Sequence, residues 1–351
     1  MALLSLEAIR DGVRTDPSLH FQNLDLARQA ILVLKLDESA IRAASFLDDR
    51  ILSPQSLGRW TPIAELAPLM EPAAPRLPLH FIFHSGHVGS TLLSRLLDGV
   101  GGVLNLREPM PLRTLATAHG DIDAPHGLVG PEEWASLLKL HLASWGRGLA
   151  TTRHVIVKAT SSAAQCATPI LSALPGARAV HLNLKPEPYL ATLLAGENSH
   201  IDLRGHAPER MRRLARLAPS SSAPLHALSL GEIAAMTWAV ESLTRRAAQE
   251  AHGARLLSVD FDSFLSAPED ALREICAHFG LDAPPSYFDG VARSPVLTRY
   301  SKAPEHAYSP DLRRQILAAS RAQHATEISR GMRWLEAAAA QSPALGALLS
   351  A

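Results

Sequence analysis

Two cysteines, Cys166 and Cys276, are all that 351 residues contain. They form neither a CxxC pair nor a disulfide framework, which fits a reducing cytoplasm. Net charge is also missing: Lys plus Arg and Asp plus Glu number 34 each, so no global field points to nucleic acid or an anionic membrane. No apolar run is long enough to span a bilayer. The start, MALLSLEAIRDGVR, has no basic cluster and reaches Glu7 before any long apolar region, a poor match to a signal peptide. Internal repeats are absent. With 47% hydrophobic and 19% charged residues, the chain has the composition of a soluble globular protein of one or two domains.

The spacing of Leu, Ile and Ala through Leu24–Leu36 and Ile41–Leu52 predicts a mainly helical segment over residues 1 to about 66. Ala67–Pro78, with four prolines, reads as a connector. Beyond it, β-rich runs at Leu79–Phe83, Val103–Leu106, His154–Val157, Ala179–Leu184 and Arg255–Val259 alternate with helical ones. These helical stretches are Thr91–Leu97, Glu132–Ser144, Ala163–Leu174, Glu187–Leu194 and Gly231–Ala251. That alternation predicts a parallel sheet with helices on both faces. Thr117–Pro131 reads as a loop. Asn198–Ser229 reads as a basic helical piece, ERMRRLARL, with a solvated face, followed by a flexible APSSSAP. The tail after Pro310 is helical and Ala-rich. The predicted architecture is α/β, a helical segment over 1–76 followed by a sheet-containing unit over 77–351.

The stretch FIFHSGHVGSTLL, Phe81–Leu93, has the order strand, tight loop, helix. Such a loop turns several backbone N–H groups one way and adds the positive end of a helix, a combination that binds oxyanions without metal or lysine. Gly86 and Gly89 permit the turn and close ligand approach. Ser90 and Thr91 can donate hydroxyls to a ligand or cap the helix. The lysine of an ATP-binding P-loop is missing, and His87 stands inside the loop. His80 and His84 share a strand face but lie about 13 Å apart at roughly 3.3 Å per residue, too far for one zinc ion at about 2 Å from each ligand. Packing or hydrogen bonding near the sheet end is expected of both.

On these residues the chain resembles the sulfotransferases that use 3′-phosphoadenosine 5′-phosphosulfate (PAPS). Gly86-His87-Val88-Gly89-Ser90-Thr91 is similar to that family's phosphate loop, with His87 at its basic position and Val88 at its serine. Lys158 matches a strand-ending lysine, and Pro175, Ala177 and Arg178 a short turn. Pro186 and Thr192 match a proline and the serine that contacts the 3′-phosphate. Leu184 stands at an arginine position, with Lys185 beside it. RLLSVDFDSFLSAPEDALREICAHFGLDAP is similar to a further scaffold block, with Asp260 and Asp262 as turn or cap residues. Ser301 and Lys302 resemble part of a C-terminal cofactor loop.

The resemblance implies a P-loop fold, PAPS as donor, and sulfuryl transfer to a hydroxyl or amine. It leaves the acceptor class unassigned and homo-oligomerisation open, and calls for no metal. Cofactor contacts would come from Gly86, His87, Val88, Gly89, Ser90, Thr91, Lys185, Thr192, Ser301 and Lys302, and charge at the sulfuryl group from His87 and Lys158. Replacing Lys158 is then expected to reduce turnover while leaving stability nearly unchanged; its alternative role is an ordinary surface lysine. The acceptor must lose a proton, and Glu108, just after a strand, should sit at the sheet's carboxyl edge to take it. The alternative is an Arg107–Glu108 surface pair. His119, His126 and His200 are rival bases in loops. An ATP-dependent kinase and a non-catalytic nucleotide-binding protein are the alternative functions.

Overall fold

A computed structural model describes residues 2–221, 223–299 and 307–350. Five strands form the central sheet: β5 (Leu79–His84), β6 (Val103–Arg107), β7 (His154–Lys158), β8 (Ala179–Asn183) and β9 (Leu256–Asp260). Their order is β6–β7–β5–β8–β9, and every pair is parallel. Both faces are covered, so the strands read as continuous apolar runs. Phe81, Phe83, Leu106 and Val157 pack on one side. Ile82, Ile156, Val180 and Leu182 pack on the other with the Ser90–Leu97, Pro186–Leu194 and Leu230–His252 helices. The chain enters through the middle strand β5 and later places β7 and β8 on opposite sides of it. At such a reversal the carboxyl ends of the strands border a crevice.

The N-terminal segment corrects the helical expectation. Strands β1 (Ala2–Leu3), β2 (Leu19–Asp25), β3 (Ala30–Lys35) and β4 (Leu57–Pro62) form a sheet ordered β1–β4–β3–β2. β2 and β3 make an antiparallel hairpin. The first five residues of β3 are all buried, so the polar alternation that identifies a half-exposed strand is absent. Helix in this segment is limited to three short pieces, Leu6–Gly12, Glu38–Ala43 and Ile63–Leu69, with a 3-10 turn at Asp49–Ile51.

This sheet shares one hydrophobic cluster with the central sheet, Phe21, Ile31 and Val33 lying in the same core as Leu104, Leu106 and Leu137. Arg147, buried, bonds the carbonyls of Val13, Asp16 and Leu19 across the connector. Residue 47 makes a further stitch. The Leu47 N–H donates to the Arg107 carbonyl at 2.6 Å, and the Met110 N–H donates to the Leu47 carbonyl at 3.2 Å.

Two stretches that interrupt the alternation of strands and helices, one read as a loop and one as a shorter basic helical piece, are more helical than expected. Met110–Gly120 is a helix, leaving 121–130 as the loop, and Glu197–Leu217 is one helix of 21 residues. Its basic run is not wholly solvated: Arg210 and Arg213 are buried, and Arg213 pairs with the buried Glu241 at 2.5 Å. The tail after Pro310 is helical, in three pieces. Among the described residues, no helix is long and apolar enough to cross a membrane.

Candidate functional site

The loop after β5 holds three left-handed residues within four positions: Gly86 (φ 92°), His87 (φ 56°) and Gly89 (φ 73°). A Cβ on Gly89 would sit 1.9 Å from Cε2 of Phe261, so only glycine fits there. A Cβ on Gly86 would meet Ser161 at 3.6 Å and the Tyr189 hydroxyl at 3.8 Å, which is ordinary contact; φ alone selects glycine. Gly89 is the N-cap of the Ser90–Leu97 helix and supplies no capping side chain, so the first turn presents its backbone donors uncapped. Thr91 Oγ1 is buried with no hydrogen-bond partner among the described residues. Val88 is fully buried in the apolar core, leaving only its backbone to face a ligand.

The loop is braced from behind. His84 Nδ1 accepts from the Gly86 N–H at 3.0 Å, which fixes the neutral tautomer whose Nε2–H donates to the Ala159 carbonyl at 2.9 Å. The Tyr189 hydroxyl donates to the Ser85 carbonyl. His80 Nδ1 accepts from the Arg178 N–H at 3.2 Å, so both histidines are held by hydrogen bonds, as expected.

At the carboxyl end of the neighbouring strands, Arg107 on β6 lies opposite Lys158 on β7. The Glu108 N–H continues that ladder to the Lys158 carbonyl at 2.6 Å. Glu108 then takes φ 52°, a left-handed conformation unusual for a residue with a side chain. This turns its carboxylate onto the Lys158 ammonium, which donates to Glu108 Oε1. The Lys158 side chain is 0% exposed and that of Glu108 13%. The surface-lysine alternative is therefore overturned.

The Arg107–Glu108 surface pair is overturned as well. Arg107 is wholly buried and bonds Asp98 and the carbonyls of Arg42 and Ala44. Side chains alternate along a strand, so the last residue of β6 and the one after it diverge.

A narrow cleft of about 10 Å³, room for about one water molecule, opens beside the pair, lined by Asp48, Glu108, Met110, Arg113 and Thr160. Asp48 comes from the N-terminal segment, held there by the Leu47 stitch. From the same segment, Phe46 places its ring 5.8 Å from Lys158 Nζ and stacks on the Arg50 guanidinium at 3.7 Å. A larger cleft, about 460 Å³ between Leu24, Trp60, Thr117 and Leu128, contains none of the residues singled out in the loop or on the β6–β7 edge. Of the predicted site residues, Glu108 lines the smaller one.

Other candidates fall elsewhere. Lys185 is exposed at the N-cap of the Pro186–Leu194 helix. Thr192 lies within that helix, and its hydroxyl donates to the Pro188 carbonyl at 2.7 Å. Leu184 is buried. Ser301 and Lys302 lie outside the described residues. His119 packs 4.7 Å from the Trp134 ring, and burial lowers its pKa. His126 borders the larger cleft, 3.6 Å from Asp121. The His200 ring bonds the Leu194 carbonyl at 3.0 Å. Asp260 caps the helix that follows it, accepting from the Ser263 N–H at 2.8 Å. Sequence reasoning missed Phe46, Asp48, Arg113 and Thr160, which carry no motif; tertiary packing alone gathers them.

Among the described residues, no group of three or more His, Cys, Asp or Glu could hold a metal ion. Both cysteines are buried, which pushes their thiols up to about 12.

No family model matches the chain, and no curated protein does. Solved structures similar to it include the sulfotransferase STF9 from Mycobacterium avium, at 14% identity over 89% of this chain and 97% of that one, with a TM-score of 0.39. The sulfotransferase domain of the Synechococcus PCC 7002 olefin synthase is 17% identical over 71% of this chain and 88% of that one, with a TM-score of 0.36. Mouse sulfotransferase SULT7A1 complexed with PAP is 11% identical over 66% and 69%, with a TM-score of 0.33.

Proposed function

We propose that this chain is a sulfotransferase that moves a sulfuryl group from PAPS to a hydroxyl or amine acceptor, with residues 77–351 carrying the donor machinery. The observation that carries this reading is the lysine-free, left-handed Gly86–Gly89 loop at the end of the central strand, on the same sheet edge as the Lys158–Glu108 pair. The residues fit an anionic donor: an uncapped helix start, glycines where a Cβ is disfavoured, and the unpartnered Thr91 hydroxyl. PAPS supplies the sulfuryl group and leaves as its desulfated product, PAP.

The chain's residues then divide the work. The backbone of Gly86–Thr91 orients the 5′ anion, and His87 borders it. Lys158 provides fixed positive charge in a site that excludes water, where such charge acts strongly. Glu108 takes the proton from the acceptor as the bond to sulfur forms and the sulfur–phosphate oxygen bond breaks. Lys185 is the exposed cation assigned to the 3′-phosphate. Thr192 would have to release the Pro188 carbonyl before donating to the same group.

Calorimetric titration tests the donor. PAP should bind more tightly than adenosine 5′-phosphate, which lacks the 3′-phosphate, by about 1.5–3 kcal/mol, the worth of a charge-assisted hydrogen bond. Equal affinities, or a preference for ATP with Mg²⁺, would refute the assignment.

A further inference from the structure

The charges around the smaller cleft do not cancel. Asp48 is taken by Arg50, whose Nε lies 2.8 and 3.0 Å from its two oxygens. Glu108 is taken by Lys158. Arg113 lines the same cleft from the first turn of the Met110–Gly120 helix, and among the described residues no hydrogen bond or ion pair engages its guanidinium. Its charge is felt by Asp48 on one side, whose pKa it helps lower, and by His206 on the other. Burial, first among the causes, lowers the pKa of His206, which favours its neutral form.

From this imbalance we infer that Arg113 binds an anionic group of the acceptor, so that the substrates are hydroxyl or amine compounds that also carry a carboxylate or a similar oxyanion. The guanidinium offers a planar fork of donors matched to such a group. Arg113 stands one helical turn beyond the corner that carries Glu108. An acceptor held by its anion at Arg113 therefore reaches the carboxylate of Glu108 with a nucleophile a few bonds away. Asp48 is held by Arg50, so removing its carboxylate would release a second cation beside the same cleft.

This inference rests on the sulfotransferase reading for the chemistry but not for the binding, and the experiment separates the two. Matched probes are titrated into the full chain, with and without PAP: 4-hydroxyphenylacetate against 4-hydroxyphenylacetamide, and 3-hydroxybutyrate against 3-hydroxybutyramide. In at least one pair the carboxylate should bind about tenfold or more tightly than its amide, the effect of one charge-assisted contact. Arg113→Ala should bring the two members of that pair within about twofold of each other, and Arg113→Lys should keep part of the preference. Asp48→Asn should tighten carboxylate binding, and a thermal melt of Arg113→Ala matching the parent excludes a merely structural role. Amides that bind as well as the acids, a preference that survives Arg113→Ala, or no binding by any probe overturns the inference. Failure of PAP to bind refutes the donor reading alone, because the carboxylate preference without nucleotide still decides the role of Arg113.

Discussion

Lys158 and Glu108 hold each other where water scarcely reaches, so neither can be removed without exposing the other's charge to an apolar surrounding. Lys158→Ala should therefore destabilise the protein, by about 3–5 kcal/mol for a buried pair broken on one side, against the sequence-based expectation of an unchanged melt. The double variant Lys158→Met with Glu108→Gln should recover much of that loss, because no uncompensated charge remains. Denaturant unfolding of the three proteins checks this; a single variant as stable as the parent would contradict the buried pair. Glu108→Gln alone keeps the shape and removes the base, so sulfuryl transfer should fall by roughly 10²–10⁴-fold with PAP affinity intact. Turnover within a few-fold of the parent would place the base elsewhere. Both residues were legible in the sequence because each ends or follows a β-rich run, and strand ends are where ligands meet a parallel sheet. Arg113 and Asp48 were not: one sits on a helix face and the other arrives from 60 positions upstream of Glu108, and neither fact leaves a local trace.

The loop after β5 works as an element only because the Phe261–Ser266 helix packs its first ring against Gly89. The two loop glycines should accordingly respond differently to substitution. Gly86→Ala meets only the left-handed backbone, a cost of about 1–2 kcal/mol. Gly89→Ala adds a side-chain overlap worth about 1–3 kcal/mol more and should weaken PAP binding further as the loop shifts. Equal unfolding free energies for the two variants would show that Phe261 does not constrain the loop. All five strands of the central sheet were placed to within a residue or so by sequence, since turn residues bound each apolar run and helical periodicity separates them. The hairpin of β2 and β3 was not: the first five residues of β3 are apolar and buried, a solid run that fits helix and strand equally well, and a bulge between Phe21 and Asn23 breaks the alternation of β2.

Among the described residues, His20, His80, His141 and His181 are buried in a state that disfavours charge. Burial, chiefly, lowers His20 and His181 to about 3, and His80 and His141 to about 4, from 6.5. A folded pKa below the unfolded one means the unfolded chain takes up more protons in acid. Stability is therefore complete above about pH 6.5 and is lost as pH falls towards 4, by up to about 1.4 kcal/mol per histidine per pH unit. Unfolding free energies measured between pH 7 and 5 should show that steep decline, and a flat profile would mean these rings are hydrated. The same global stability sets a limit on improving the protein. His87 and Glu108 both occupy backbone conformations that glycine would adopt at less cost. A search for more heat-resistant variants would thus be drawn to glycine at His87, and would be rewarded with a sturdier molecule from which the loop imidazole had been erased, whereas at Glu108 the stranded Lys158 charge outweighs the relief of the backbone.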